Sequence, residues 1–162
     1  MRPTSRRRDR VWACMVLAAW GVVMGPAAAS AQVDREALER EVTEAEKAFA
    51  RSMAERHLDD FARHVAEHAV FFGAGEPLRG KAAVLAGWKA FFDGPAAPFS
   101  WSPDRVVVTG DGSLAHSTGL VRNPEGRPIG RFNSVWRRDA DGRWRVVLDK
   151  GSPLTEAERR AP

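Results

Sequence analysis

The stretch from Arg131 to Gly151, RFNSVWRRDADGRWRVVLDKG, constrains the fold more than any other part of this chain. It reads as two strands joined by a tight turn, with Trp136 and Trp144 on opposite arms and the carboxylate of Asp149 near the far end. Two registers fit it. A four-residue loop, Asp139 to Gly142, pairs Arg138 with Arg143 and Trp136 with Arg145, and puts Ser134, Trp136, Val147 and Asp149 on one face. A three-residue loop with Gly142 left-handed pairs Asp139 with Arg143. It gathers Trp136, Trp144, Val146 and Leu148, and turns Asp149 away with Asn133. Amphipathicity alone favours the second register.

The rest of the chain supplies the other layer. Asp34 can cap a helix to about Glu55, with Leu38, Val42, Ala45, Phe49 and Met53 as its apolar stripe. A second helix is expected from Leu58 to Glu67, a short strand over Ala69 to Phe72, and a third helix from Lys81 to Phe92, stopped at Gly94-Pro95. From Phe99 the period becomes two. A strand to Thr109 is interrupted at Pro103. A second runs from Leu114 to Arg122, and the hairpin follows. Helices first and strands afterwards predict an α+β layer arrangement.

The ends bear on compartment and charge. Arg2, Arg6, Arg7, Arg8 and Arg10 precede an apolar run from Val11 to Gly25, and Ala29-Ser30-Ala31 is a small-x-small cleavage site. Residues 1–31 therefore read as a secretory signal peptide, 32–152 as the domain, and 153–162 as a tail that is a short helix or a frayed end. An exported protein, periplasmic or secreted, is expected, with no stable membrane anchor after cleavage. Five of the 25 basic and one of the 21 acidic residues lie in the leader, which leaves 20 of each. A balanced domain gives no support to nucleic-acid binding. Cys14, the one cysteine, also lies in the leader, so the domain must be held by its core alone.

The order of elements, the loop Gly75-Glu76-Pro77-Leu78-Arg79-Gly80 opening the third helix, and the hairpin pattern V-W-R-R-x-x-D-G-x-W resemble the nuclear transport factor 2-like superfamily. Within it they are similar to the SnoaL-like, ketosteroid-isomerase-like branch, over about Glu36 to Gly151. The resemblance implies a cone-shaped α+β fold, with three N-terminal helices packed on a strongly curved, mainly antiparallel sheet. It also implies that Ser134, Trp136 and Asp149 point into a pocket, which favours the first hairpin register. That register leaves Trp144, Val146 and Leu148 as an apolar outer face. Many similar domains dimerise there, so a homodimer is expected. Function does not follow, because the superfamily holds isomerases, cyclases, dehydratases, hydrolases and pure binding modules.

Three constellations are candidates for chemistry. His64-Val65-Ala66-Glu67-His68 matches the H-x-x-E-H zinc pattern, yet also reads as an ordinary solvated helix edge, and no metal is assigned. Similar isomerases carry a base Asp on the first strand and a Tyr donor. Here that strand reads Val70-Phe71-Phe72-Gly73 and the chain has no Tyr, so that machinery does not carry over. What remains is His116 and Asp149 as a base and its orienting acid. Trp88, Trp101, Thr118, Ser134, Trp136 and Phe72 are the expected pocket lining. The expectation is a domain that binds a small apolar or aromatic molecule, or an enzyme doing acid–base chemistry on one without a cofactor. The alternative is a non-catalytic dimeric assembly or partner-binding module.

Overall fold

The computed structural model describes residues 34–160; the expected signal peptide, residues 1–31, lies outside them. Helix α1 (Arg35–Ala54) begins where Asp34 Oδ1 accepts the Ala37 N–H at 3.0 Å, capping one free donor of the first turn. Its inward stripe is Leu38, Val42, Glu46, Phe49 and Met53. Helix α2 (Leu58–His64) stops three residues earlier than its composition suggests. Val65 adopts an extended conformation, and strand β1 (Val65–Phe72) starts there. Val65, Ala66, Ala69 and Phe71 bury against the core, and tertiary burial thereby overrides the helical pattern. His64 thus ends a helix while Glu67 and His68 stand exposed on a strand, so the H-x-x-E-H spacing brings no two imidazoles onto one helical face.

The expected loop at Leu78 forms a two-residue strand, β2 (Leu78–Arg79), paired antiparallel with β1. Helix α3 (Lys81–Trp88) follows and tightens into a 3-10 turn over Lys89–Phe92. Strands β3 (Ser100–Val108), β4 (Leu114–Arg122), β5 (Pro128–Arg138) and β6 (Trp144–Ser152) complete a six-stranded sheet of order β2-β1-β6-β5-β4-β3. Only β1 and β6 run parallel. The tail forms α4 (Glu156–Arg160), opened by a capping box in which Thr155 Oγ1 accepts from Glu158 N–H and Glu158 Oε2 from Thr155 N–H. No described helix is long and apolar enough to cross a membrane.

The final hairpin combines the turn of the second register with the inward facing of Ser134 and Asp149 that the first one gave. At the turn, Asp139 N–H bonds Arg143 O and Gly142 N–H bonds Asp139 O, each at 2.9 Å, with Gly142 at φ +78°. This is the three-residue loop. Arg138 accordingly faces Trp144, and Trp136 faces Val146. A β-bulge at Val147 then shifts the pairing, so Val135 faces Leu148 and Ser134 faces Asp149. One extra residue lets Trp136, Trp144 and Val146 point into the core while Ser134 and Asp149 also point inward. The expected outer triad is corrected by this geometry: Trp144 and Val146 are buried, and only Leu148, 37% exposed, faces out. The argument for a homodimer built on that face falls away.

A second irregularity, between Pro103 and Arg105, pinches β3 against β4. A Cβ on Gly119 would lie 1.9 Å from Ser102 O and 2.9 Å from the Phe132 ring. The first obstacle is backbone and cannot rotate aside. Gly119→Ala should therefore lower the unfolding free energy by about 2 kcal/mol in urea denaturation, the range of overpacked sites. A loss below a few tenths would mean that β3 relaxes freely.

Candidate functional site

A cavity of about 900 Å³ opens between the helices and the inward face of the sheet. Its walls are aromatic, with Phe49 from α1, Phe71 and Phe72 from β1, Trp88 from α3, Phe99 and Trp101 at the start of β3, and Phe132 from β5. The rings meet largely edge to face, the geometry their quadrupoles favour. Trp88 lies 5.5 Å from Phe91, 6.1 Å from Phe99 and 6.3 Å from Trp101 between centroids. Phe72, Phe91 and Ile129 line the cavity and are also exposed, so its mouth is apolar.

The mouth is tied to the helices by Arg56, at φ +67° in the turn after α1. Its guanidinium donates to Met53 O at 2.9 Å, to Gly94 O at 3.1 Å and to Phe91 O, and covers the Phe92 ring. A non-glycine residue in that region is uncommon, and three carbonyl bonds hold it there.

Asp149 is the acidic residue on the cavity wall. Its Oδ2 accepts the Ser134 hydroxyl at 2.8 Å. Burial among aromatic rings pushes its carboxyl up to about 7, the Ser134 bond holds it back, and the nearby Glu46 charge raises it further. Behind Ser134 stands Glu46, wholly buried on α1. Glu46 Oε1 accepts the Trp101 indole N–H and Oε2 that of Trp136, both at 2.8 Å. Burial pushes this carboxyl up as well, opposed by the two indoles and by the Ser117 and Ser134 hydroxyls. Ser117 Oγ is buried with no hydrogen-bond partner among the described residues.

Of the residues singled out in the sequence, Phe72, Trp88, Trp101 and Asp149 line this cavity. Ser134 holds Asp149, and Trp136 lies one layer deeper, bonded to Glu46. His116 and Thr118 are corrections. On β4 the buried Ala115 and Ser117 face inward, so the alternate positions face the other side of the sheet. His116 is exposed there and forms no pair with Asp149. Thr118 Oγ1 donates to Phe132 O at 2.7 Å and accepts from Arg131 Nε at 3.4 Å. Arg131 in turn binds both oxygens of Asp104 at 2.6 and 2.7 Å, and pairs with Glu158 of α4. No three His, Cys, Asp or Glu among the described residues gather as a metal site.

A SnoaL-like domain model matches residues 45–147, which span α1 to β6. The chain belongs to the SnoaL-like domain family. No curated protein matches it. Among solved structures it is similar to an NTF2-like protein of unknown function from Pseudomonas putida KT2440, at 22% identity and TM-score 0.60, over 78% of this chain and 94% of that one. A protein provisionally named a dehydratase of the NTF2-like family, from Streptomyces avermitilis, matches at 17% identity and TM-score 0.59, over 74% and 98%. A ketosteroid isomerase-like protein from Erwinia carotovora atroseptica SCRI1043 matches at 14% and 0.56, over 72% and 96%. At these identities the likeness is one of fold.

Glu46 is the member of this SnoaL-like site that sequence reasoning passed over. The signal was present. Glu46 lies four residues after Val42 and three before Phe49, inside the apolar stripe, where Ala45 was counted instead. An acid at a core position of an amphipathic helix calls for a buried partner.

Proposed function

We propose that this SnoaL-like domain binds a small, largely apolar molecule in the aromatic cavity and performs acid–base chemistry on it through Asp149, without a cofactor. One observation carries the reading: a single carboxyl stands on an apolar wall rich in aromatic rings, held by one hydroxyl, with its pKa displaced to about 7. Near neutral pH such a group exists in both forms, so it can take a proton from a carbon or hydroxyl and return it elsewhere. The rings supply area and shape; Asp149 supplies the polar contact that orients the ligand. The fold is compatible with small-molecule binding and with the isomerase- or dehydratase-type activities named among its structural neighbours.

A thermal-shift screen of uncharged aromatic ketones, alcohols and epoxides tests it. At a hundredfold excess over Kd a ligand should stabilise the domain by about 2.7 kcal/mol. Asp149→Ala should weaken the best binder about tenfold, the effect of losing one buried hydrogen bond. A panel in which nothing stabilises the parent, or a binder indifferent to Asp149→Ala, would sink the reading.

A further inference from the structure

The Asp149 carboxyl does not stand alone, and its neighbour is the group with the more rigid surroundings. Glu46 accepts one indole N–H on each oxygen. An indole nitrogen can only donate, so both contacts favour an ionised Glu46; a protonated one keeps a good acceptor only at its carbonyl oxygen and serves the two indoles less well. Ser117 Oγ, buried without a hydrogen-bond partner, stands near enough to favour the ionised form, while the one Ser134 proton goes to Asp149. Asp149 has one donor, Ser134, and a hydroxyl can turn to serve either form. The Glu46 charge is felt at Asp149 and helps to raise its pKa, so the two carboxyls do not both ionise readily.

We propose that Glu46 is a positioning residue for Asp149: held ionised by the Trp101 and Trp136 indoles, it keeps the proton on Asp149, at the cavity wall. This rests on the acid–base reading above and explains how the proton comes to lie where a ligand can meet it. The other groups around Asp149 do not compete for the role. Its partner on β1 is Phe71, and α3 contributes Trp88. Lys150, next on β6, is exposed at the rim. His64, at the end of α2, packs against Trp136, 6.1 Å between ring centroids, and burial lowers its pKa towards the neutral form.

The test is the titration of Asp149, followed by carboxyl carbon NMR on the full chain without ligand. In the parent, Asp149 is expected to titrate near 7. Glu46→Gln removes the charge and keeps the shape, and should lower that midpoint by about one unit or more. Trp101→Phe removes one indole donor, makes Glu46 the poorer anion, and should move the Asp149 midpoint the same way. If Glu46→Gln does not fold, Trp101→Phe decides. A merely structural Glu46 would leave the Asp149 midpoint where it is, and an unchanged midpoint in the folded variants overturns the proposal. An ordinary carboxylate midpoint in the parent is a different failure, since it removes the acid–base reading itself.

Discussion

Trp136→Ala should lower the unfolding free energy by about 5 kcal/mol, an amount comparable to the whole stability of many domains. Trp136 is fully buried on β5, packed edge-on against Phe49 at 5.8 Å and beside His64. Truncation opens a large void between α1 and the sheet. It also strips Glu46 Oε2 of its donor and leaves a buried carboxyl oxygen unpaired. Trp136→Phe separates the two causes. It keeps most of the volume and removes the N–H, and should cost about 2 kcal/mol. Urea denaturation of both variants measures the split. A Phe variant as stable as the parent would mean that the Trp136–Glu46 bond contributes nothing to the fold.

The elements of this domain were legible because each has a single dominant period. The stripe of α1, the β period after Phe99 and the Asp141-Gly142 turn all read correctly from spacing. Registers were harder, because a one-residue bulge leaves no mark in an alternating sequence. Val146-Val147-Leu148 is apolar throughout, so nothing in it says which valine is extra. With the bulge at Val147, the amphipathic pattern governs the turn and the Ser134–Asp149 pairing governs the far end. The three-residue-loop register holds from the turn to Trp136; beyond the bulge Ser134 faces Asp149, a pairing neither register gave, although the first had put the two on one face. His116 shows the opposite limit. The parity of β4 correctly grouped it with Thr118, but parity cannot say which face is inward. The buried Ala115 and Ser117 decide that, and a histidine between small residues on a barely amphipathic strand gave no warning. Glu46 was legible by position and was hidden by the equally well-spaced Ala45 beside it.

The second large effect lies in the pH dependence of stability. Asp149 titrates at about 7 in the folded domain and near the ordinary aspartate value of 3.8 when unfolded. The folded state thus binds the proton more tightly. Below the unfolded value both states are protonated and Asp149 costs nothing. Between the two values the unfolded state sheds its proton first and stability falls. Above about 7 the penalty is constant, with a ceiling of about 4 kcal/mol from the size of the shift, and about 2 kcal/mol once its coupling to Glu46 is allowed for. His64 acts in the other direction. Its lowered pKa gives stability that is full above the ordinary histidine value of 6.5 and is lost as the pH falls below it. Asp149→Asn keeps an oxygen to accept the Ser134 hydroxyl and has nothing to ionise. The variant should match the parent at pH 4 and exceed its stability by about 2 kcal/mol at pH 8.5. His64 and the carboxyls remote from Asp149 are common to both chains and cancel in the difference at each pH; Glu46 is coupled to Asp149, and its response stays in the difference. Parallel stability curves across this range would place Asp149 in an ordinary solvated setting and remove its claim to acid–base work.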